Sequence, residues 1–316
     1  MNNFKDIFGV ENRTKYFTHV LASLCFISIV VFLLLIIGNN SLNKNEVEAA
    51  TEKPDPFESL ALEAKSAMVW DVVNERELFA KNPDVPLPLA SLTKVMTAVT
   101  AYAFLSDSAN VKILLEYLEP EGDSGLVVDD IWRASDLRDF TLLTSSNDGA
   151  FALAAVAESQ TAEKGGDPQA QFLKAMNNKA AEIGLSNSRF FNEHGLDREM
   201  DRGGAYGSAR DMALLFEYTL KNYPEILEAT RYKSLQFGSA EKVYAADNTN
   251  IFINEIPGIL ASKTGFTDLA GGNLVIAFDS GLNRPIIISI LGSTEEGRFA
   301  DTLKLVNASL KYIQEN

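Results

Sequence analysis

Ser91 and Lys94 stand three residues apart in the stretch Pro88-Leu89-Ala90-Ser91-Leu92-Thr93-Lys94-Val95-Met96-Thr97-Ala98. Leu92, Val95, Met96 and Val99 recur at helical spacing, so the segment reads as a helix with Ser91 in its first turn and Lys94 one turn on. A serine hydroxyl is a poor nucleophile in water and becomes a useful one only with a base within hydrogen-bonding reach. Lys94 supplies that base if its amine is neutral. The positive end of the helix dipole, partial burial and a second nearby cation each disfavour the ammonium form. The spacing points to a Ser-Lys nucleophile, although Ser-x-x-Lys by itself is common, and Ser41-Leu42-Asn43-Lys44 repeats it in a polar segment.

Two further motifs follow in order. Ser145-Ser146-Asn147 sits between Leu142-Leu143 and Gly149-Ala150-Phe151-Ala152-Leu153, at a bend in a helical region. Lys263-Thr264-Gly265 directly follows an expected strand, where a glycine lets a substrate lie close against the strand edge. Each is weak alone; the order Ser-x-x-Lys, Ser-x-Asn, Lys-Thr-Gly, each on the kind of element its chemistry requires, is far more specific.

The elements that must hold these residues are readable in outline. Residues 66–71 and 77–80, with Asn74-Glu75-Arg76 between them, read as a β-hairpin. Asn82-Pro83 and Pro86-Leu87-Pro88 then break the chain before the Ser91 helix. Residues 109–223 read as mostly helical: a short hairpin around Glu119-Pro120-Glu121-Gly122, then amphipathic helices over 134–158, 168–184 and 208–221. Residues 259–262, 273–278 and 285–291 are short apolar runs bounded by turn residues, hence strands, and a helix over about 296–313 closes the chain. Strands at both ends with helices between them imply an α+β domain. Its antiparallel sheet is built from both ends of residues 57–316, is flanked by helices and carries an inserted, mainly helical subdomain at about 109–223. The cleft between sheet and subdomain is the expected place for a site.

The chain has 316 residues, 46% hydrophobic and 22% charged, ample for a sizeable core. A formal net charge of -15 argues against nucleic-acid binding, because no basic surface is available to displace counterions from phosphates. One cysteine rules out an intrachain disulfide or a thiolate metal cluster. With two histidines, a zinc site or a Ser-His-Asp triad would depend on His194 alone, since His19 lies beside an apolar run. Nothing in the sequence calls for a metal or an organic cofactor. That run, VLASLCFISIVVFLLLII at 20–37, is long enough to cross a hydrocarbon core with its flanks. Lys5, Arg13 and Lys15 precede it, which by the positive-inside rule puts residues 1–19 in the cytoplasm and everything after Gly38 outside. Val47-Glu48-Ala49 resembles a cleavage site, but it stands well beyond an apolar run that is itself long for a signal peptide, so an uncleaved anchor is expected. Residues 38–56, rich in Asn, Glu and Lys and ending Lys53-Pro54-Asp55-Pro56, read as a linker.

The ordered motifs are those of the class A β-lactamases and penicillin-binding proteins. From about Phe57 onward the chain resembles the D-alanyl-D-alanine carboxypeptidases among the low-molecular-mass penicillin-binding proteins. The resemblance extends to Met176-Asn177, Phe191-Asn192-Glu193-His194-Gly195-Leu196-Asp197, Ser208-Ala209-Arg210-Asp211 and Lys263-Thr264-Gly265-Phe266-Thr267-Asp268. It implies that Ser91 attacks the carbonyl between two D-alanines of a peptidoglycan stem peptide while Lys94 takes its proton. Ser145 would pass a proton to the leaving D-alanine, and Asn147 would hold Lys94 and the substrate amide. Lys263 and Thr264 would bind the terminal carboxylate, Gly265 would let the substrate lie along the strand, and the backbone N–H groups of Ser91 and Phe266 would meet the oxyanion, at about 3 kcal/mol per donor in other enzymes. Arg298 matches by position an arginine that helps bind the carboxylate; otherwise it is an exposed helix-start arginine. β-Lactams would be covalent inhibitors.

The resemblance puts no catalytic role on His194, and it leaves Asp148 and Asp211 as structural carboxylates. Ser146 stands where many relatives have glycine. Well-known members continue into a β-rich domain and a membrane helix, whereas this sequence stops at Asn316, so the N-terminal segment is expected to anchor it. The sequence barely separates a carboxypeptidase from an endopeptidase cutting D-alanyl cross-links. A serine β-lactamase is the nearest rival, but the Glu-x-x-Leu-Asn stretch of class A enzymes is absent between Asn147 and Lys263. A non-enzymatic, anchored peptidoglycan-binding protein would be marked by a lost nucleophile or lysine.

Overall fold

The computed structural model describes residues 8–42, 54–161 and 168–316, in two compact units, Met1–Pro54 and Asp55–Asn316. The first unit contains the helix α1 (Phe8–Leu42). Its stretch Phe17–Ile36, with a mean hydropathy of 2.8 and no buried residue, is long and apolar enough to cross a membrane. The helix continues into the segment read as the start of a linker. Lys5, Val47-Glu48-Ala49, Lys53 and the Asn43-Lys44 half of the repeated Ser-x-x-Lys lie outside the described residues.

In the second unit the elements follow in the order β1 (Ser66–Asp71), β2 (Arg76–Lys81), β3 (Leu87–Pro88), α2 (Thr93–Tyr102), β4 (Asn110–Lys112) and β5 (Ile131–Arg133). Next come α3 (Ala134–Thr144), α4 (Asn147–Thr161), α5 (Pro168–Ile183), β6 (Arg189–Phe190), β7 (Ala205–Gly207), α6 (Ala209–Asn222) and α7 (Glu225–Glu228). The chain finishes with β8 (Ser234–Gly238), β9 (Val243–Asp247), β10 (Ile259–Thr267), β11 (Gly271–Asp279), β12 (Pro285–Ser293) and α8 (Gly297–Glu315). The main sheet has five strands in the order β10-β11-β12-β1-β2, all antiparallel. β1 pairs with β12 from Ser66 opposite Leu291 to Asp71 opposite Ile286, so the sheet joins the two ends of the domain.

β12 reads as an apolar run, interrupted only by the buried Ser289, because both of its faces are covered. Ile286, Ile288 and Ile290 pack with Phe299, Leu305 and Val306 of α8, whereas Ile287 and Leu291 belong to the core that holds Met212, Leu215 and Phe216 of α6. Each fully buried side chain of this size contributes about 1.5–3 kcal/mol.

The helical region and the stretch that follows it depart from the sequence expectation in three places. The helix expected over 134–158 is two helices. Ser145 ends α3 in the left-handed region (φ 64, ψ 31), and the Ser146 hydroxyl then accepts the Gly149 N–H at 2.9 Å to start α4. The hairpin expected around residues 119–122 is formed by β4 and β5, with 119–122 in the long connection between them. The hairpin β8–β9 was not foreseen, because its strands alternate buried with exposed residues and carry little apolar signal. It seats Tyr244 against Trp132 (centroids 4.6 Å apart) and donates the Tyr244 hydroxyl to Asp130 at 2.7 Å, bracing α3 from outside.

Candidate active site

Ser91 lies in a 3-10 turn, Ala90–Leu92, that leads directly into α2. Residues 93–101 of α2 are all buried, so Lys94 enters the core on an apolar helix and is 1% exposed. Ser91 itself is half-buried at the helix entrance. Lys94 Nζ is 2.8 Å from Ser91 Oγ, 2.7 Å from Asn147 Oδ1 and 2.7 Å from the His194 carbonyl oxygen. An ammonium would donate to all three. A neutral amine has two N–H groups, which Asn147 and His194 occupy, and its lone pair then faces the Ser91 O–H. The geometry thus aims the basic face of Lys94 at the nucleophile.

The other wall comes from β10, the edge strand of the sheet. Lys263, Thr264 and Gly265 lie within this strand rather than after it, and Gly265 is the reason the strand can continue past the turn. A Cβ there would sit 2.9 Å from the Leu89 carbonyl and 3.2 Å from Ser91 N, so only glycine lets the strand edge close on the nucleophile turn. Lys263, 1% exposed, donates to Ser145 Oγ at 2.9 Å and to the Thr264 carbonyl at 2.8 Å. The left-handed backbone of Ser145 turns its side chain toward this lysine. Thr264 Oγ1 is 2.6 Å from Thr249 Oγ1, and Phe266 is exposed beyond Gly265.

Burial drives the electrostatics. It holds the Lys94 amine down to about 7 against the opposing pull of Glu193 and Asp148, which favour its charged form. Lys263 is pushed well below its ordinary value by burial first, then by Lys94 and Arg298. Burial and Lys94 bring the His194 imidazole down to about 4, so the ring is neutral.

The structure ties these residues into two hydrogen-bonded sets, Ser91–Lys94–Asn147 and Ser145–Lys263–Thr264, which meet where Gly265 closes on the Ser91 turn. Asn147 carries a difference, because its amide N–H donates to the Glu121 carbonyl as well as its oxygen accepting from Lys94. Arg298 is no exposed helix-start residue. It is 7% exposed, donates to the Gly265 carbonyl at 2.9 Å and lies 4.0 Å from the Glu295 carboxylate, and its Nε lacks a hydrogen-bond partner among the described residues. Sequence reasoning missed the His194 carbonyl, the Glu121 carbonyl and Thr249. The first two are main-chain atoms and leave no side-chain signal.

Gly195 fixes the loop that brings the His194 carbonyl in. It has φ +86, and a Cβ on it would lie 2.0 Å from the Ala90 carbonyl. Gly195→Ala is therefore expected to destabilise the fold by about 3 kcal/mol or more, since backbone blocks backbone and no side chain can yield. Urea unfolding measures this, and a loss under about 0.5 kcal/mol contradicts it.

Comparison with known proteins bears on this geometry. The family model described as D-alanyl-D-alanine carboxypeptidase matches residues 48–295. The chain belongs to the D-alanyl-D-alanine carboxypeptidase family. Within it, the carboxypeptidase DacF of Bacillus subtilis is 30% identical over 256 residues, an alignment covering 78% of this chain and 62% of DacF. A D-alanyl-D-alanine endopeptidase of Pseudomonas aeruginosa is 29% identical over 275 residues, covering 84% of each. The chain thus spans less than two thirds of the length of carboxypeptidases such as DacF and DacC, at 62% and 64%. Among solved structures, penicillin-binding protein D2 of Listeria monocytogenes, in an ampicillin-bound form, is 28% identical with a TM-score of 0.68, over 79% of this chain and 98% of that one. The family fold, α+β with an antiparallel sheet from both ends of the domain, is the one described above.

Proposed function

We propose that the chain is a serine-type D-Ala-D-Ala carboxypeptidase that removes the terminal D-alanine from peptidoglycan stem peptides through an acyl-enzyme on Ser91. The observation that carries this reading is the 2.8 Å contact between Ser91 Oγ and a buried Lys94 amine whose other neighbours are both acceptors. Ser91 Oγ attacks the carbonyl carbon of the penultimate D-alanine while its proton moves to Lys94 Nζ. Collapse of the tetrahedral adduct breaks the C–N bond, and the leaving nitrogen takes a proton by way of Ser145, which Lys263 holds. Water then hydrolyses the ester and regenerates Ser91. The backbone N–H groups of Ser91 and Phe266 are assigned to the oxyanion, and Lys263, Thr264 and Arg298 to the substrate carboxylate. The ampicillin-bound relative supports the corollary that β-lactams acylate Ser91.

The test is D-alanine release from a diacyl-L-Lys-D-Ala-D-Ala peptide by the full chain, with penicillin labelling of Ser91 in parallel. Release with labelling supports the carboxypeptidase. A second reading, an endopeptidase on D-alanyl cross-links, is favoured by the even 84% coverage of the Pseudomonas relative; labelling without release, and cleavage of a dimeric muropeptide, would establish it. Neither labelling nor release would leave a peptidoglycan-binding protein. On the same reading, α1 anchors the chain by a single pass, with the catalytic unit outside the cytoplasm; membrane extraction of the full-length protein by detergent but not by high salt tests that placement.

Arg298 yields a separate expectation. With Nη1 fixed on the Gly265 carbonyl and Nη2 only loosely paired, 4.0 Å from the Glu295 carboxylate, its guanidinium is placed to pair with a substrate carboxylate. Arg298→Gln is expected to raise KM for the D-Ala-D-Ala peptide about tenfold or more with a smaller change in kcat. An unchanged KM would reduce the residue to a brace for the edge strand.

A further inference from the structure

Glu193 is a buried acid to which the reaction above gives no task. Its side chain is 2% exposed, and among the described residues its carboxyl is held only loosely, by the backbone of its own loop and the Gln169 side chain. A carboxyl buried in that way destabilises a fold, so its presence asks for another reason. Glu193 Oε1 faces His194 Nε2 at 3.6 Å. The Leu196 N–H donates to His194 Nδ1 at 3.1 Å, so the neutral ring carries its proton on Nε2, toward the carboxylate. The carbonyl of His194 is one of the two acceptors that orient Lys94. The carbonyl of Glu193 accepts the Thr97 hydroxyl at 2.6 Å, which fastens the same loop to α2 one turn beyond Lys94.

We propose that Glu193 is a positioning residue: its buried carboxyl, set against the His194 ring, orients the His194 peptide that holds Lys94 and, when ionised, favours the ammonium of Lys94 and so raises the pH above which that amine serves as the base for Ser91. The proposal rests on the catalytic reading of the site. The charged groups around Lys94 are few. From its loop Glu193, and from α4 Asp148, favour the ammonium. Lys94, with Arg298 of α8, in turn disfavours the ammonium of Lys263 on β10. His194 is neutral, and Asp148 is already engaged by the Ser124 hydroxyl at 2.7 Å. Burial raises Glu193 toward its neutral form, against the backbone of its own loop, the Gln169 side chain and Lys94.

The test is the pH profile of Ser91 acylation by a penicillin in the full chain. Removing a negative charge beside Lys94 lowers its proton affinity, so the acidic limb should move to lower pH. Glu193→Gln and Glu193→Met are both expected to move its midpoint down by about half a unit or more. Below the wild-type midpoint each would then acylate about threefold faster than wild type, whereas Glu193→Asp keeps the limb in place. Met asks for no hydrogen bonds in the apolar site, so at least that variant is expected to fold, with a Tm at or above wild type. A merely structural role lowers the rate at every pH without moving the midpoint. An unmoved midpoint in the folded Gln and Met variants overturns the proposal, and so does a loss confined to hydrolysis of the acyl-enzyme, which would make Glu193 the base of the second step. Absence of Ser91 labelling in wild type would instead remove the catalytic reading on which the proposal stands.

Discussion

Ser91→Ala is expected to lose the penicillin adduct completely and to lower kcat/KM for D-alanine release by about 10⁵-fold or more, because among the described residues Ser91 is the hydroxyl bonded to Lys94. The structure makes the expectation sharp, since a second serine, Ser145, is held by the other lysine of the site. Ser145 is bonded to Lys263, on the far side from α2, and its backbone is turned into the left-handed region to reach that lysine. Ser91 alone is bonded to Lys94. Mass spectrometry of the trapped protein therefore finds the adduct on a peptide containing Ser91 in wild type and on none in Ser91→Ala. Transfer of the adduct to Ser145 in the variant would show that either serine can be activated and that the division of labour between the two lysines is wrong. Little change in stability accompanies the substitution, because the hydroxyl is half-exposed and Lys94 keeps two of its acceptors.

Lys94→Met should separate activity from stability. Losing the base is expected to slow acylation about 10²- to 10⁴-fold. The same change should stabilise the fold at neutral pH. Lys94 is held at about 7 in the folded protein against its ordinary 10.5. Between those values the unfolded chain binds the proton and the folded one does not, so wild-type stability rises with pH through that window, and below about 7 the full penalty of charging a buried amine remains. Methionine carries no such penalty. Thermal unfolding at pH 6 and at pH 10 measures the difference: the gain in Tm over wild type should be larger at pH 6. The residual acylation should also lose the acidic limb that Lys94 imposes. A Lys94→Met enzyme that keeps the wild-type limb would move the base to Lys263.

The chemistry was the most legible part of the sequence, because it is written in side chains at short spacings. Ser91 and Lys94 show their relation through one helical turn, and the apolar runs of β11 and β12 show a sheet buried on both faces. What stayed hidden has a physical cause in each case. The sequence placed Gly265 just after a strand, as room for a substrate; in the structure it lies within the strand, where its missing side chain also serves a close approach to Ser91, and the strand runs on to Thr267. Ser145 looked like a bend within one helix; its hydroxyl contact with Lys263 spans 118 residues of sequence, which no local pattern reports. Arg298 could be either exposed or inward on the helical spacing alone, and the Gly265 carbonyl decides it. The grip of His194 on Lys94 passes through a carbonyl, an atom that every residue has.

The pairing of β1 with β12 bears on how the domain comes to exist at all. The β1–β2 hairpin is local and closes early, but the other edge of β1 finds its partner only after nearly the whole domain has been made, with Ser66 waiting for Leu291. Closing so long a loop has an entropic cost of about 5 kcal/mol, to be met by late, cooperative contacts between the two chain ends. Until then Met68 and Val69 sit on an unpaired, apolar strand edge, open to the wrong partner. The sheet that walls the nucleophile is thus completed late: a nascent chain carries Ser91 and Lys94 long before it has the edge strand that encloses them.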